Sequence, residues 1–267
     1  MTPLRTRLAA ATIGAGLVLA APAAAWAGPL RSPSTPQTSS PSNASSPSSS
    51  TLEALRAKCL AAIDVRLPAL AAARADVAND QHTTAEHKTA LEADIDQTAA
   101  RLQTLQGEIQ ADTELSALRD HCHSIFQDNR VFALVLPRAR LVVGADTAGF
   151  AGDKLSDVAG KLADAIQKAQ DAGRDVAQAK ADLDAMKAQI ASGVAAAGAV
   201  PGDVLGLTPA DWNANHDVLT PARQSLRAAR ADLKVARDLA VKIRNELRTP
   251  TTTPPAPSSP VSGSPQA

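Results

Sequence analysis

Ser124-Ile125-Phe126-Gln127-Asp128-Asn129-Arg130-Val131-Phe132-Ala133-Leu134-Val135-Leu136-Pro137 interrupts two long stretches of helical periodicity. Its second half, Val131 to Leu136, is a continuous apolar run closed by a proline, and two of the chain's three phenylalanines, Phe126 and Phe132, fall here. Aromatic rings bury the most area per residue, so the best core contact of this aromatic-poor chain is expected at this place. The β-branched and aromatic content of the run predicts a short extended segment over 130–136, packed across a helical bundle. The alternatives are a docking edge for a partner strand and a membrane-inserting element, the latter opposed by the run's short length.

On the N-terminal side, Leu52, Leu55, Cys59, Ile63, Leu67, Leu70 and Val77 form a helical stripe, in which Pro68 predicts a kink. Asn79 to Thr84 reads as a turn, with Thr83 or Thr84 capping the next helix. Leu91, Ile95, Thr98, Leu102, Leu105 and Ile109 then alternate steps of four and three, and the short connection makes the two helices antiparallel neighbours. Asp112-Thr113 marks a stop and restart, one of them capping a shorter helix that runs to about Asp128.

On the C-terminal side, Pro137 suits the first turn of a helix whose seam is Leu141, Ala145, Ala148, Gly152, Leu155, Ala159, Leu162 and Ile166. Gly144, Gly149, Gly152 and Gly160 each weaken that helix by up to ~1 kcal/mol, a cost that close approach of a neighbouring helix would offset. Gly173 followed by Asp175 predicts a tight hairpin, and Val176, Leu183, Met186 and Ile190 carry the next helix to about Ala197. Residues 198–207 read as a loop, and Thr208-Pro209 opens the last element. From Trp212 through Leu219, Leu226, Leu233 and Ile243 to Leu247, Leu and Ala alternate on a heptad seam. Pro221 inside it predicts a kink or a fresh start just after Leu219. The expected fold is all-α: an elongated antiparallel helical bundle or coiled coil of about five helices over residues 51–248, with disordered termini.

The ends carry a different signal. Arg5 and Arg7 precede an apolar stretch from Leu8 to Ala21, and Ala25-Trp26-Ala27 matches a small-x-small cleavage site, so residues 1–27 read as a signal peptide. No cysteine follows for a lipid anchor, and no later stretch is apolar enough to hold a membrane. Residues 28–50 and 249–267 are rich in Pro, Ser and Thr and read as a disordered linker and tail. Removing residues 1–27 takes two arginines from the chain's 27 basic residues and nothing from its 27 acidic ones, leaving a net charge of about −2. That balance opposes nucleic-acid binding, which needs a basic surface, and a polybasic membrane contact. The leader, together with the Arg and Ala bias, predicts a secreted or cell-wall-associated protein of a GC-rich Gram-positive bacterium.

Little of the chain points to chemistry. Cys59 and Cys122 are the only cysteines, and in an exported chain they are expected to form a disulfide, the alternative being two buried thiols. A straight helix past Asp112 would carry Cys122 roughly 27 Å beyond the level of Cys59 at 1.5 Å per residue, so the bond requires a chain reversal at Asp112-Thr113. His121 and His123 point about 200° apart on a helix and cannot chelate together. His82 and Glu86 are spaced for two ligands but lie beside a turn, so no metal site is expected. Val142-Val-Gly-Ala-Asp146 could mimic a strand ending in a catalytic Asp, yet it lies on the helical seam. No nucleophile elbow, HExxH, P-loop or GxGxxG occurs, so no catalytic residue, no cofactor and no enzyme activity are expected.

Ile125-Phe-x-Asp-x-Arg-Val-Phe-Ala-Leu-Val-x-Pro137, with Leu141 and Ala145-Asp146 after it, resembles an uncharacterised family of secreted actinobacterial helical proteins. Their counterpart is an Arg-Val-Tyr-Ala-Leu-Val-x-Pro segment between two helical halves. The resemblance runs from about Ala54 to Leu247, with Asn129 and Phe132 standing where tyrosines are expected. It implies export and a helical fold, and it assigns no residue a role. The expected function is a non-enzymatic envelope or extracellular spacer or interaction module with an unknown protein or cell-wall partner. The alternative is a coiled-coil regulatory partner of a cell-wall enzyme, touching it through Phe132 or Trp212, and a third is a secreted hydrolase of unrecognised type. An exposed apolar groove walled by Phe132 or Trp212 would favour the partner reading, and a cleft with three or more convergent polar side chains would favour the enzyme.

Overall fold

Leu91, Ile95, Thr98, Leu102, Leu105 and Ile109, the cleanest seam in the sequence, are all buried on one face of a single helix. The computed structural model describes residues 47–248, which fall within one compact unit. The expected signal peptide over 1–27, most of the expected linker (up to residue 46) and the expected tail over 249–267 lie outside the described residues.

Seven α-helices follow in chain order: α1 (Pro47–Asn79), α2 (Ala85–Ala111), α3 (Leu115–Gln127), α4 (Leu136–Asp171), α5 (Ala177–Val204), α6 (Pro209–Ala214) and α7 (Thr220–Arg248). Among the described residues there is no strand. α1 begins at Pro47, inside the stretch expected to be linker, and continues through Pro68. Pro68 cannot donate to the Asp64 carbonyl, but both residues are exposed, so water can satisfy that oxygen. α1 and α2 run antiparallel, since Arg74 meets Asp96 while Gln106 meets Asp64. Thr84 caps α2 as expected, its hydroxyl accepting from the His87 N–H.

The expected extended segment at 130–136 is helical instead: Val131–Val135 form a π-helical turn that leads straight into α4. A short apolar run carries no period of its own, and here the buried set settles its conformation. Val131, Leu134, Val135, Leu136, Arg138, Ala139, Leu141 and Val142 are all buried, a broad helical face pressed between the two halves of the fold. Arg130, at φ 38°, is the one non-glycine residue in the left-handed region among the described residues, and it turns the chain from α3 into this turn. The expectation that the phenylalanines make the best core contact also fails. Phe126, Phe132 and Phe150 are 45%, 48% and 40% exposed, and the core is filled by aliphatic side chains.

Residues 198–204, expected to be loop, continue α5 through a buried Pro201, because Ala197, Val200 and Val204 keep the helical spacing of its buried face. α7 starts at Thr220, so Pro221 stands in the first turn, where a missing N–H costs nothing. Thr208 caps α6 with a reciprocal capping box to Asp211. α4, α5 and α7 form a three-helix bundle in which α5 is antiparallel to α7, shown by Ser192 on Asp232 and Lys242 on Asp182. α4 runs parallel to α7: a Cβ at Gly144 would meet Leu226, and one at Gly152 would lie near Leu233. Of the four α4 glycines, Gly144 and Gly152 sit under neighbouring helices as expected, whereas Gly149 and Gly160 face open space.

The core divides accordingly. One cluster joins α1, α2, α3 and the π turn to the first half of α4 and the adjoining ends of α5 and α7; the other fills the remainder of the three-helix bundle. Three arginines close helix ends. Arg56 donates to the Ile109 and Asp112 carbonyls behind α2, Arg138 to the Leu207 carbonyl past α5, and Arg174 to Glu246 and Leu247 at the end of α7. A cation there satisfies orphan carbonyls and opposes the negative end of the helix dipole.

Candidate functional site

A groove of about 750 Å³ lies between α1 and α4. Its floor is made of small and aliphatic side chains, Ala69, Ala73, Val77, Leu136 and Ala139 among them, and Phe132 stands on its wall. The groove exists because the two helices run side by side in the same direction: Arg66 of α1 reaches Phe132 at one end, and Thr84, past the end of α1, binds Asp146 at the other. Alanines on facing helices cannot fill the space between them. Asp76 and Asp80 rim it on the α1 side and Arg140 on the α4 side.

Phe132 is presented by the π turn, a local structure that recurs at functional sites. The Arg66 guanidinium carbon lies 5.3 Å from the Phe132 ring centre and 4.5 Å from that of Phe126, so a cation is held between two exposed rings. Partial burial pushes the Arg66 pKa down, and its Nη1 donates to the Ala62 carbonyl at 2.7 Å. Asp80 at the far end is fixed in a tight turn. Burial alone would raise its carboxyl, but hydrogen bonds from the Thr83 side chain and from the His82 and Thr83 N–H groups outweigh burial and hold it below its ordinary value.

Trp212, the other expected contact, is not on this groove. It lies on α6, half-buried against the main core, with its ring 5.6 Å from that of His216. α6 is held there by Asn213, which donates to the Gln127 carbonyl and accepts from Arg130.

A second cleft, of about 450 Å³, opens beyond the α1–α2 turn, and His82, Thr84, His87, Asp146, Phe150 and Asp153 line it together with α5. The His87 Nδ1 donates to Asp146, whose Oδ2 also accepts from the Thr84 N–H. His82 stacks on Phe150 with 4.1 Å between ring centres. An ionised carboxylate only accepts, so the proton of this bond sits on the His87 Nδ1. Nothing in the sequence pairs these residues, and Asp146 stands out there only by its place on the α4 seam. Thr84 is the sole hydroxyl among the lining residues, and its oxygen is occupied by the helix cap. The lining therefore offers the couple no free side-chain hydroxyl or thiol.

Cys59 and Cys122 form the disulfide, with Cα atoms 5.5 Å apart, and the required reversal lies between Ala111 and Leu115. The restart differs in detail: Glu114 stands at the N-cap without a side-chain bond, and Asp112 closes α2 instead. His121 turns back to Asp112 at 3.0 Å and His123 is exposed. Among the described residues no three His, Cys, Asp or Glu side chains come together to hold a metal ion, and no helix is long and apolar enough to cross a membrane. Compared with known proteins, the chain matches no family model, no curated protein and no solved structure.

Proposed function

We propose that this chain is an exported, non-enzymatic helical interaction module that receives a partner protein in the groove between α1 and α4. The observation that carries the reading is Phe132: an aromatic side chain nearly half exposed, in a chain with three phenylalanines, on the wall of an apolar groove. Aromatic anchors in such positions dominate binding energy at interfaces. Export is supported by the leader-like residues 1–27 and by the disulfide, a bond that persists in oxidising compartments. The polar second cleft supports an enzyme less well, because its His87–Asp146 couple is engaged in joining α2 to α4 and has no free side-chain hydroxyl or thiol beside it. The test is a photoreactive amino acid in place of Phe132, with Val235, exposed on α7, as the control position. Adduct formation in the producing cells at position 132 and none at 235 is expected; equal adducts at both, or none, would refute it.

A further inference from the structure

We propose that the occupant of the α1–α4 groove is an amphipathic helix of another protein, seated apolar side down with a basic residue against α1 and an acidic one against α4. This rests on the docking reading above and adds the class of partner.

The walls decide the shape. Both are helices with their backbone groups bonded internally, so they present no sheet edge for an added strand. A proline-rich ligand needs a groove built from several rings, and here Phe132 is the one ring on the lining. A floor of alanines instead lets another helix approach to the 8–10 Å at which helices pack. The α1 wall runs from Ala69 to Asp80, about 16 Å at 1.5 Å per residue, which matches about three turns of a docked helix.

The rim decides the charges. Asp76 and Arg140 are exposed on opposite sides of the groove, and among the described residues neither side chain has a hydrogen-bond or ion-pair partner. An apolar seam flanked by one acidic and one basic wall is the arrangement by which flanking charges choose partner and direction in coiled coils. A helix with the complementary pair fits in one orientation and is repelled in the other.

The experiment places a photoreactive residue at Ala72 in the full disulfide-bonded chain and identifies the crosslinked segment by mass spectrometry. The expected segment comes from a different protein and carries apolar residues at helical spacing. A synthetic copy should gain helical circular dichroism on binding. Asp76→Lys should weaken that binding about fivefold, as for a rim charge pair, and a Lys→Asp or Arg→Asp change in the facing peptide residue should restore it. A proline-rich or extended segment, or a segment of this same chain, overturns the helical partner while leaving the docking reading in place. Absence of adducts at both Ala72 and Phe132 overturns the docking reading and this inference with it.

Discussion

The Nδ1 of His87 lies 2.9 Å from both carboxylate oxygens of Asp146, although 59 residues separate them. Together with the Thr84 N–H, this contact ties the start of α2 to the middle of α4. Asp146→Ala would leave a backbone donor and a ring nitrogen without their acceptor, a loss of about 1–3 kcal/mol. Urea unfolding should show it, with faster amide exchange over residues 80–87 than in the wild-type chain. An unchanged midpoint and unchanged exchange would mean that the contact contributes nothing to the fold.

The disulfide closes a loop with a sequence separation of 63 residues. In the chain-entropy model such a loop contributes about 4 kcal/mol. Reduction, or the Cys59→Ala/Cys122→Ala pair, should lower the unfolding free energy by about that amount, with Cys122 buried at the junction of α3 with α1. Thiol titration of the denatured, unreduced protein should find no free thiol.

Gly193 and Gly160 should respond oppositely to alanine. A Cβ at Gly193 would meet the Leu233 Cγ at 2.9 Å and the Ala229 carbonyl oxygen at 3.1 Å, a backbone atom of α7 that cannot step aside. Gly193→Ala should therefore destabilise by about 1–3 kcal/mol through overpacking. At Gly160 nothing lies within 4 Å, and Gly160→Ala should stabilise α4 by about 0.5–1 kcal/mol. Thermal melts of the two variants on opposite sides of the parent would bear this out.

How far the fold could be read in advance depends on whether residues carried their own period. The α2 seam and the Leu/Ala seam of α7 were legible because burial repeats in them at steps of three and four, and Thr84 and Thr208 were legible because caps are local. Val131 to Leu136 reads as extended in sequence but folds as helix, because six apolar residues fit a strand or a helix equally and partners decide between them. Phe126 and Phe132 stand exposed where a core contact is expected, because composition says how much area a ring could bury, not which way it faces. Of the groove, Phe132 could be singled out as an unusual residue, but the facing alanines of α1 and α4 became a site only through the parallel run of two helices distant in sequence. The His87–Asp146 couple was hidden for the same reason.

Acid should weaken the three-helix bundle through Asp182. Its carboxylate is paired with the Lys242 ammonium at 2.7 Å, and this contact, with the hydrogen bond from Gln178, holds its pKa below the ordinary 3.8. A carboxyl depressed in the folded chain binds a proton more readily when unfolded. The stability it lends is therefore fully present above 3.8 and is lost as pH falls through the lower folded value. Asp182→Asn should lower the urea midpoint by a constant amount near neutrality, and the gap to wild type should close in acid. A gap that persists at low pH would assign the loss to packing instead of charge.

Phe132 and Leu134 separate surface from core within one turn of chain. Leu134 is fully buried and Phe132 is 48% exposed. Leu134→Ala should cost about 2–5 kcal/mol, the range for a buried leucine that leaves a cavity. Phe132→Ala should lose little beyond its contact with Arg66, about 0.5–1 kcal/mol for a cation over an exposed ring, because Phe126 stays within 4.5 Å of the same guanidinium. The larger effect of Phe132→Ala is expected on the crosslink from Ala72, which should fall at least tenfold while the melt is nearly unchanged. A ring kept half in water for a partner is dispensable to the fold and indispensable to the adduct; a strongly destabilised Phe132→Ala chain would make it a packing residue after all.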